Sequence, residues 1–178
     1  MDNMIDRARD VAGHPTHPPM TGITIGSYTI ALIALALGAL GFSTSDMAIV
    51  AYWSTVAGLC FGLVAIITGL LDFVSISSDT ALQRVALGHL ILQVVASAMF
   101  AISAIYQAPD YHDATIAASS MIVSVVGYAA LISGAWLGGT MVFRMGARVA
   151  TTTADMPAAQ HSSTSRKRSG GKGPASPT

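Results

Sequence analysis

Four long apolar stretches, separated by short polar breaks, dominate the chain. They run over residues of about 21–42, 47–75, 84–106 and 115–142. Each reaches the roughly 20 residues a helix needs to cross the hydrocarbon core of a bilayer. The breaks carry turn chemistry. Ser43-Thr44-Ser45-Asp46 ends the first stretch and caps the second, and Ser77-Ser78-Asp79-Thr80 separates the second from the third. Ala108-Pro109-Asp110 ends the third, and Asp113 is placed to cap the fourth. The pattern predicts an all-α integral membrane protein, a four-transmembrane-helix bundle. A polar His/Pro leader (1–20) precedes a membrane domain (21–149). The tail (150–178), rich in Thr, Ser, Ala, Pro and Gly with a basic "SRKRSGGKG" knot, cannot bury a core and reads as disordered. The first span follows about twenty polar residues and is followed by three more spans, so a cleaved signal peptide is not expected.

Composition supports the membrane assignment. The 178 residues are 52% hydrophobic and 10% charged, with a mean hydropathy of +0.59; soluble domains carry about 25% charged residues. The formal net charge is zero, which speaks against nucleic acid as a partner. It conceals an asymmetry. Four spans put both termini and the middle loop on one side. All nine Lys and Arg fall there, whereas the other two loops carry only Asp46, Asp110 and Asp113. The positive-inside rule then predicts cytoplasmic termini, in a multi-pass protein of the bacterial cytoplasmic (inner) membrane. The single cysteine, Cys60, lies in an apolar run and reads as a small buried residue.

Packing between membrane helices favours small side chains that let backbones approach. Gly58, Gly62, Ala65 and Gly69 line one face of the second span, and the same stripe extends to Asp72. Ala130, Gly134 and Gly138 do the same on the fourth. These stripes predict close helix contact, either within the bundle or by self-association or docking to other membrane subunits through Gly58, Gly62, Gly134 and Gly138. On the third span Ala86, His89, Gln93, Ala96 and Phe100 share a face, flanked by Ser97 and Ser103. A histidine and an amide facing lipid would lack partners, so this face is expected to look inward. No internal repeat is apparent beyond the general likeness of one apolar helix to another.

The polar residues that need explaining converge on the cytoplasmic end. His14 and His17 sit on the proline-stiffened leader, Asp72 near the end of the second span, Arg84 and His89 at the start of the third, and Arg144 at the end of the fourth. Asp72 either pins helix ends together by pairing with Arg84 or Arg144, or orients a histidine or carries protons. His89 is either a hydrogen-bonded packing residue, or a ligand or proton relay. Neutral imidazole binds zinc, copper, nickel and iron. If the leader folds back, His14, His17 and His89 become a metal-ligand set with Asp72 beside it. Arg84 and Arg144 would then neutralise charge, for example on haem propionates. His112, in an outer loop, and His161, in the tail, read as solvated.

These residues resemble a bacterial membrane family, domain of unknown function 2231. The likeness runs through Gly13-His14-Pro15-Thr16-His17-Pro18, Ile25-Gly26, Gly69-Leu70-Leu71-Asp72, Arg84 with His89, Ser133-Gly134-Ala135-Trp136-Leu137-Gly138-Gly139 and Phe143-Arg144-Met145-Gly146, and spans about Gly13 to Val149. The family pattern often has histidine at Met145 and asparagine at Gln93. Methionine can ligate haem iron or copper but does not accept protons. The resemblance implies a four-helix membrane fold and brings no established activity; fusion of some members to Rieske-type iron–sulfur domains implies redox chemistry by association. Two functions follow as expectations: a redox-linked subunit binding haem b or a transition metal, or a non-catalytic scaffold or accessory subunit of a larger membrane complex. Transport is less supported because no broken helix marks a path, and an enzyme with a covalent nucleophile is least supported.

Overall fold

The computed structural model describes residues 10–11, 14–113 and 115–147. Four helices make up the bundle: α1 (His17–Ala39), α2 (Thr44–Phe73), α3 (Ala81–Asp110) and α4 (Ala118–Met145). Each is long and apolar enough to span a membrane. Ahead of α1, a two-residue antiparallel pairing joins β1 (Asp10–Val11) to β2 (His14–Pro15). The predicted tail lies outside the described residues.

The helices begin and end for local reasons. α1 starts at His17, inside the predicted leader, because Pro18 and Pro19 fall in its first turn, where no intrahelical N–H is needed. It stops in a Schellman turn. Gly41 takes φ +86°, its N–H donates to the Gly38 carbonyl (3.0 Å), and that of Phe42 donates to Leu37 (3.0 Å). Thr80 caps α3 by accepting the Gln83 N–H (3.1 Å), while the Gln83 side chain accepts from the Asp79 N–H (2.8 Å). α3 does not stop at Ala108. It runs through Pro109, which in the last turn removes a single backbone bond.

α1 packs mainly on α2, and α3 on α4; the two hairpins then meet along α2–α3 and, more loosely, α1–α4. The bundle is lined by small and hydroxylated side chains. Ala31, Ala51, Thr55, Ala96, Ser103, Ser120 and Ser124 are fully enclosed, while Ile30, Ile33, Leu63, Ile67, Ile105 and Ile122 are exposed. Large apolar side chains outside and small ones inside is the arrangement that lipid favours, since burial of a leucine gains nothing over lipid contact. Cys60 follows this logic and corrects the expectation of burial. It lies between the inward Gly58 and Gly62, hence on the opposite face of α2, and is exposed. Across the α1–α4 seam the Thr29 and Tyr128 hydroxyls meet at 3.0 Å. Thr29→Val is expected to cost no more than about 1 kcal/mol, since such bonds average roughly 0.6 kcal/mol in membranes; reversible unfolding in mixed micelles measures it.

The two hairpins repeat one another, contrary to the expectation of no internal repeat. His17 and Tyr28 are eleven residues apart on α1, as are His89 and Phe100 on α3. Gly58, Ala65 and Gly69 on α2 have the same spacing as Gly127, Gly134 and Gly138 on α4. The contacts correspond as well. The first glycine of each trio receives the aromatic ring, the carbonyl of the middle residue accepts from the histidine, and the last glycine lies against the imidazole. The matching residues of the two hairpins also meet each other. Tyr28 and Phe100 form a parallel stack, centroids 3.8 Å apart and planes 2° apart. His17 and His89 have centroids 6.2 Å apart and planes at 82°.

Candidate functional site

A cavity of about 650 Å³ opens between the hairpins at the end that holds the start of α1 and the end of α4. His17, Asp72, His89, Gln93 and Ser97 supply its main polar groups, and Ile25, Leu90 and Leu131 are among its apolar walls.

Both histidines are held the same way. Nδ1 of His17 lies 2.8 Å from the Ala65 carbonyl oxygen, and Nδ1 of His89 lies 2.8 Å from that of Gly134. A carbonyl only accepts, so Nδ1 carries the proton in each ring and the lone pair of the neutral imidazole is on Nε2. The Thr68 hydroxyl, which donates to the Val64 carbonyl (2.9 Å), stands a further 3.4 Å from Nδ1 of His17. The glycines make room for the rings. A Cβ at Gly69 would come 2.8 Å from Cε1 of His17, and one at Gly138 would come 3.1 Å from Cε1 of His89. Nδ1 of His17 is thus drawn to α2 and Nδ1 of His89 to α4, and both residues border the cavity between the hairpins. An N–H tied to a backbone carbonyl, fixing the tautomer and ring direction, is the usual support of a metal-binding histidine.

His17, His89 and Asp72 thus border one cavity. The side chain of His14 lies outside the described residues. The Arg84 guanidinium donates to the Asp79 carbonyl (3.3 Å). Arg144, in the last turn of α4, is exposed, and neither arginine lines the cavity. Helix carbonyls accept from both imidazoles. Among the described residues no group of three or more His, Cys, Asp or Glu is gathered as a metal cage. The glycines receive the chain's own side chains: a Cβ on Gly58 would lie 2.5 Å from Tyr28, and one on Gly134 would lie 2.8 Å from Nε2 of Gln93.

Residues 13–151 match the family described as Predicted membrane protein (DUF2231). The chain belongs to this family. No curated protein and no solved structure matches it. For this DUF2231 protein the family thus establishes a membrane protein and leaves its chemistry to be argued from the cavity. Sequence reading singled out both histidines and missed their equivalence. The signal was present in the two eleven-residue histidine-to-aromatic spacings and the two seven-and-four glycine spacings. It is hidden because the repeated positions hold different residues: Tyr28 against Phe100, and Ala65 against Gly134.

Proposed function

We propose that this DUF2231 protein is a redox-linked membrane subunit that binds haem iron, or a transition metal ion, through Nε2 of His17 and His89. The observation that carries the reading is the pairing of two carbonyl-anchored imidazoles, one from each hairpin, on the edge of one cavity.

His17 and His89, with ring centroids 6.2 Å apart, would hold the iron or metal ion, which would supply the redox chemistry. A bare zinc ion wants four ligands, whereas haem iron takes two from the protein and the rest from its own macrocycle. The apolar walls suit a macrocycle. Bound haem would supply one-electron storage, with Asp72, which borders the same cavity, adjusting the charge of the site; Arg84 and Arg144 stand at the same end outside the cavity and would have to reorient to reach propionates. His14 is a further candidate ligand.

The test is the metal content and visible spectrum of untagged, detergent-purified protein. About one iron per chain with a low-spin haem b spectrum is the expected result. Zinc or copper without iron would keep the imidazole site and remove haem, and no metal above background would overturn the reading.

The cytoplasmic placement of both termini belongs to the same proposal, supported by the nine basic residues on one side. A fluorescent protein fused to the C-terminus is expected to mature, and alkaline phosphatase fused there to stay inactive; the opposite pair of results would reverse the orientation.

A further inference from the structure

The cavity continues past the histidines to a deep end that the metal site leaves unused. On α3, Gln93 lies one turn beyond His89 and Ser97 two turns beyond, roughly 12 Å deeper along the helix, and both border the cavity. Ser97 therefore stands near the middle of a span of 30 residues. Ile25, Ile66 and Leu131 are the walls at this depth, with the bare backbone of Gly62. The Gln93 amide closes no hydrogen bond with another described residue. It is seated against Gly134, where a Cβ would come 2.8 Å from its Nε2. Behind Ser97 stands Tyr28, which is 0% exposed. The Tyr28 and Ser97 hydroxyls lie 3.4 and 3.7 Å from one point, the position of a Cβ on Gly62. The phenol thus approaches Ser97, yet its hydroxyl completes no hydrogen bond of normal geometry among the described residues.

Polar groups left short of partners inside a membrane bundle are costly, and they mark places where something binds. The chemistry of this end narrows what that is. No titratable side chain borders the cavity beyond His89, so a charged group would be buried there unpaired, and the ligand must be neutral at this end. The aliphatic walls call for an apolar body. An amide and a hydroxyl can each donate and accept. They therefore serve a carbonyl oxygen and, equally, the hydroxyl that replaces it in the reduced form of the same molecule. We propose that the deep end binds the head group of a bilayer-soluble quinone, with the Gln93 amide and the Ser97 hydroxyl donating to one ring carbonyl. Tyr28 is a positioning residue: its phenol, held by the Phe100 stack, orients the Ser97 hydroxyl from behind. The site stands on its own geometry; the choice of a quinone among neutral apolar molecules rests on the redox reading.

Equilibrium binding of tritiated decyl-benzoquinone to the full-length protein in lipid nanodiscs tests it, with empty nanodiscs as the blank. Saturable binding of about one quinone per chain is expected, with decylbenzene, which has the same tail and no carbonyl, failing to compete. Gln93→Leu and Ser97→Ala should each weaken binding about tenfold, and Tyr28→Phe by less. No saturable binding to the unaltered protein would overturn the inference, and so would equal competition by decylbenzene; both results stand even where a variant fails to fold. The assay reads no metal, so the two proposals fail separately. Quinone binding by protein that holds no metal would leave this site standing and remove the metal site, whereas metal without quinone binding would do the reverse.

Discussion

His89→Ala is expected to remove the bound iron, or any metal that replaces it, while leaving the protein inserted and folded. The imidazole contributes two things. Its Nδ1–H donates to the Gly134 carbonyl at 2.8 Å, and its Nε2 lone pair is the ligand atom of the proposed site. Loss of the first is modest. The Gly134 carbonyl keeps its helical position, and a net side-chain hydrogen bond is worth about 1 kcal/mol or less in this setting. Loss of the second removes one of two protein ligands, so metal per chain should fall from about one to a small fraction while the melting temperature moves by a few degrees. His17→Ala should behave in the same way, because the hairpins repeat the site. Metal content measured on both variants beside the parent decides it. Full retention in either variant would break the paired-imidazole reading, even if the other variant lost its metal.

The largest expected effect on stability is at a glycine. Gly58→Ala places a Cβ 2.5 Å from Cδ1 and Cε1 of Tyr28. The ring cannot retreat, because Phe100 is stacked on it at 3.8 Å. Overpacking of this kind costs about 1–3 kcal/mol, and the upper end is expected for a ring confined on both sides. Gly127→Ala should resemble it, since its Cβ would lie 2.8 Å from Cβ of Met99 and 3.4 Å from Phe100. Gly26→Ala is the contrast. Nothing lies within 4 Å of that added carbon, so the change should be neutral or mildly stabilising through helix propensity. Unfolding free energies of the three variants in the same micelles give the comparison. Equal values at Gly58 and Gly26 would show that Tyr28 is not packed as described.

Several features are legible in the amino-acid sequence alone. The inward face of α3 is one, because His89 and Gln93 have no place in lipid, and Ala86, Ala96 and Phe100 on that face are indeed buried. The small-residue stripe on α2 is legible as a contact face for the same reason. What it contacts is not: a GxxxG pattern reports close approach, and the approaching group, Tyr28 or His17, is dozens of residues away. The helix starts are displaced by capping detail. His17 reads as leader because two prolines follow it, yet prolines are accommodated in a first turn. Cys60 is misplaced because an apolar neighbourhood in sequence does not distinguish the inside of a membrane bundle from its lipid face.

The sequence by itself determined that this chain lives in a bilayer, how many times its helices cross, and which end collects the histidines and the basic residues. Those properties are local, since the length of an apolar run and the positions of charges are enough to decide them. Only the tertiary structure decided which helices pair, that the two hairpins are copies of one arrangement, and that each imidazole is tethered through Nδ1 to the opposite helix of its own hairpin. It also decided that the Gln107 side chain is enclosed among serine and threonine hydroxyls, donating to Thr55 and Ser103. The physical reason is that helices apolar on every side carry little periodicity to point them. Their facing is set by the fit of particular rings into particular glycine gaps and by the hydrogen bonds of a few polar groups. That fit exists once the partners have met.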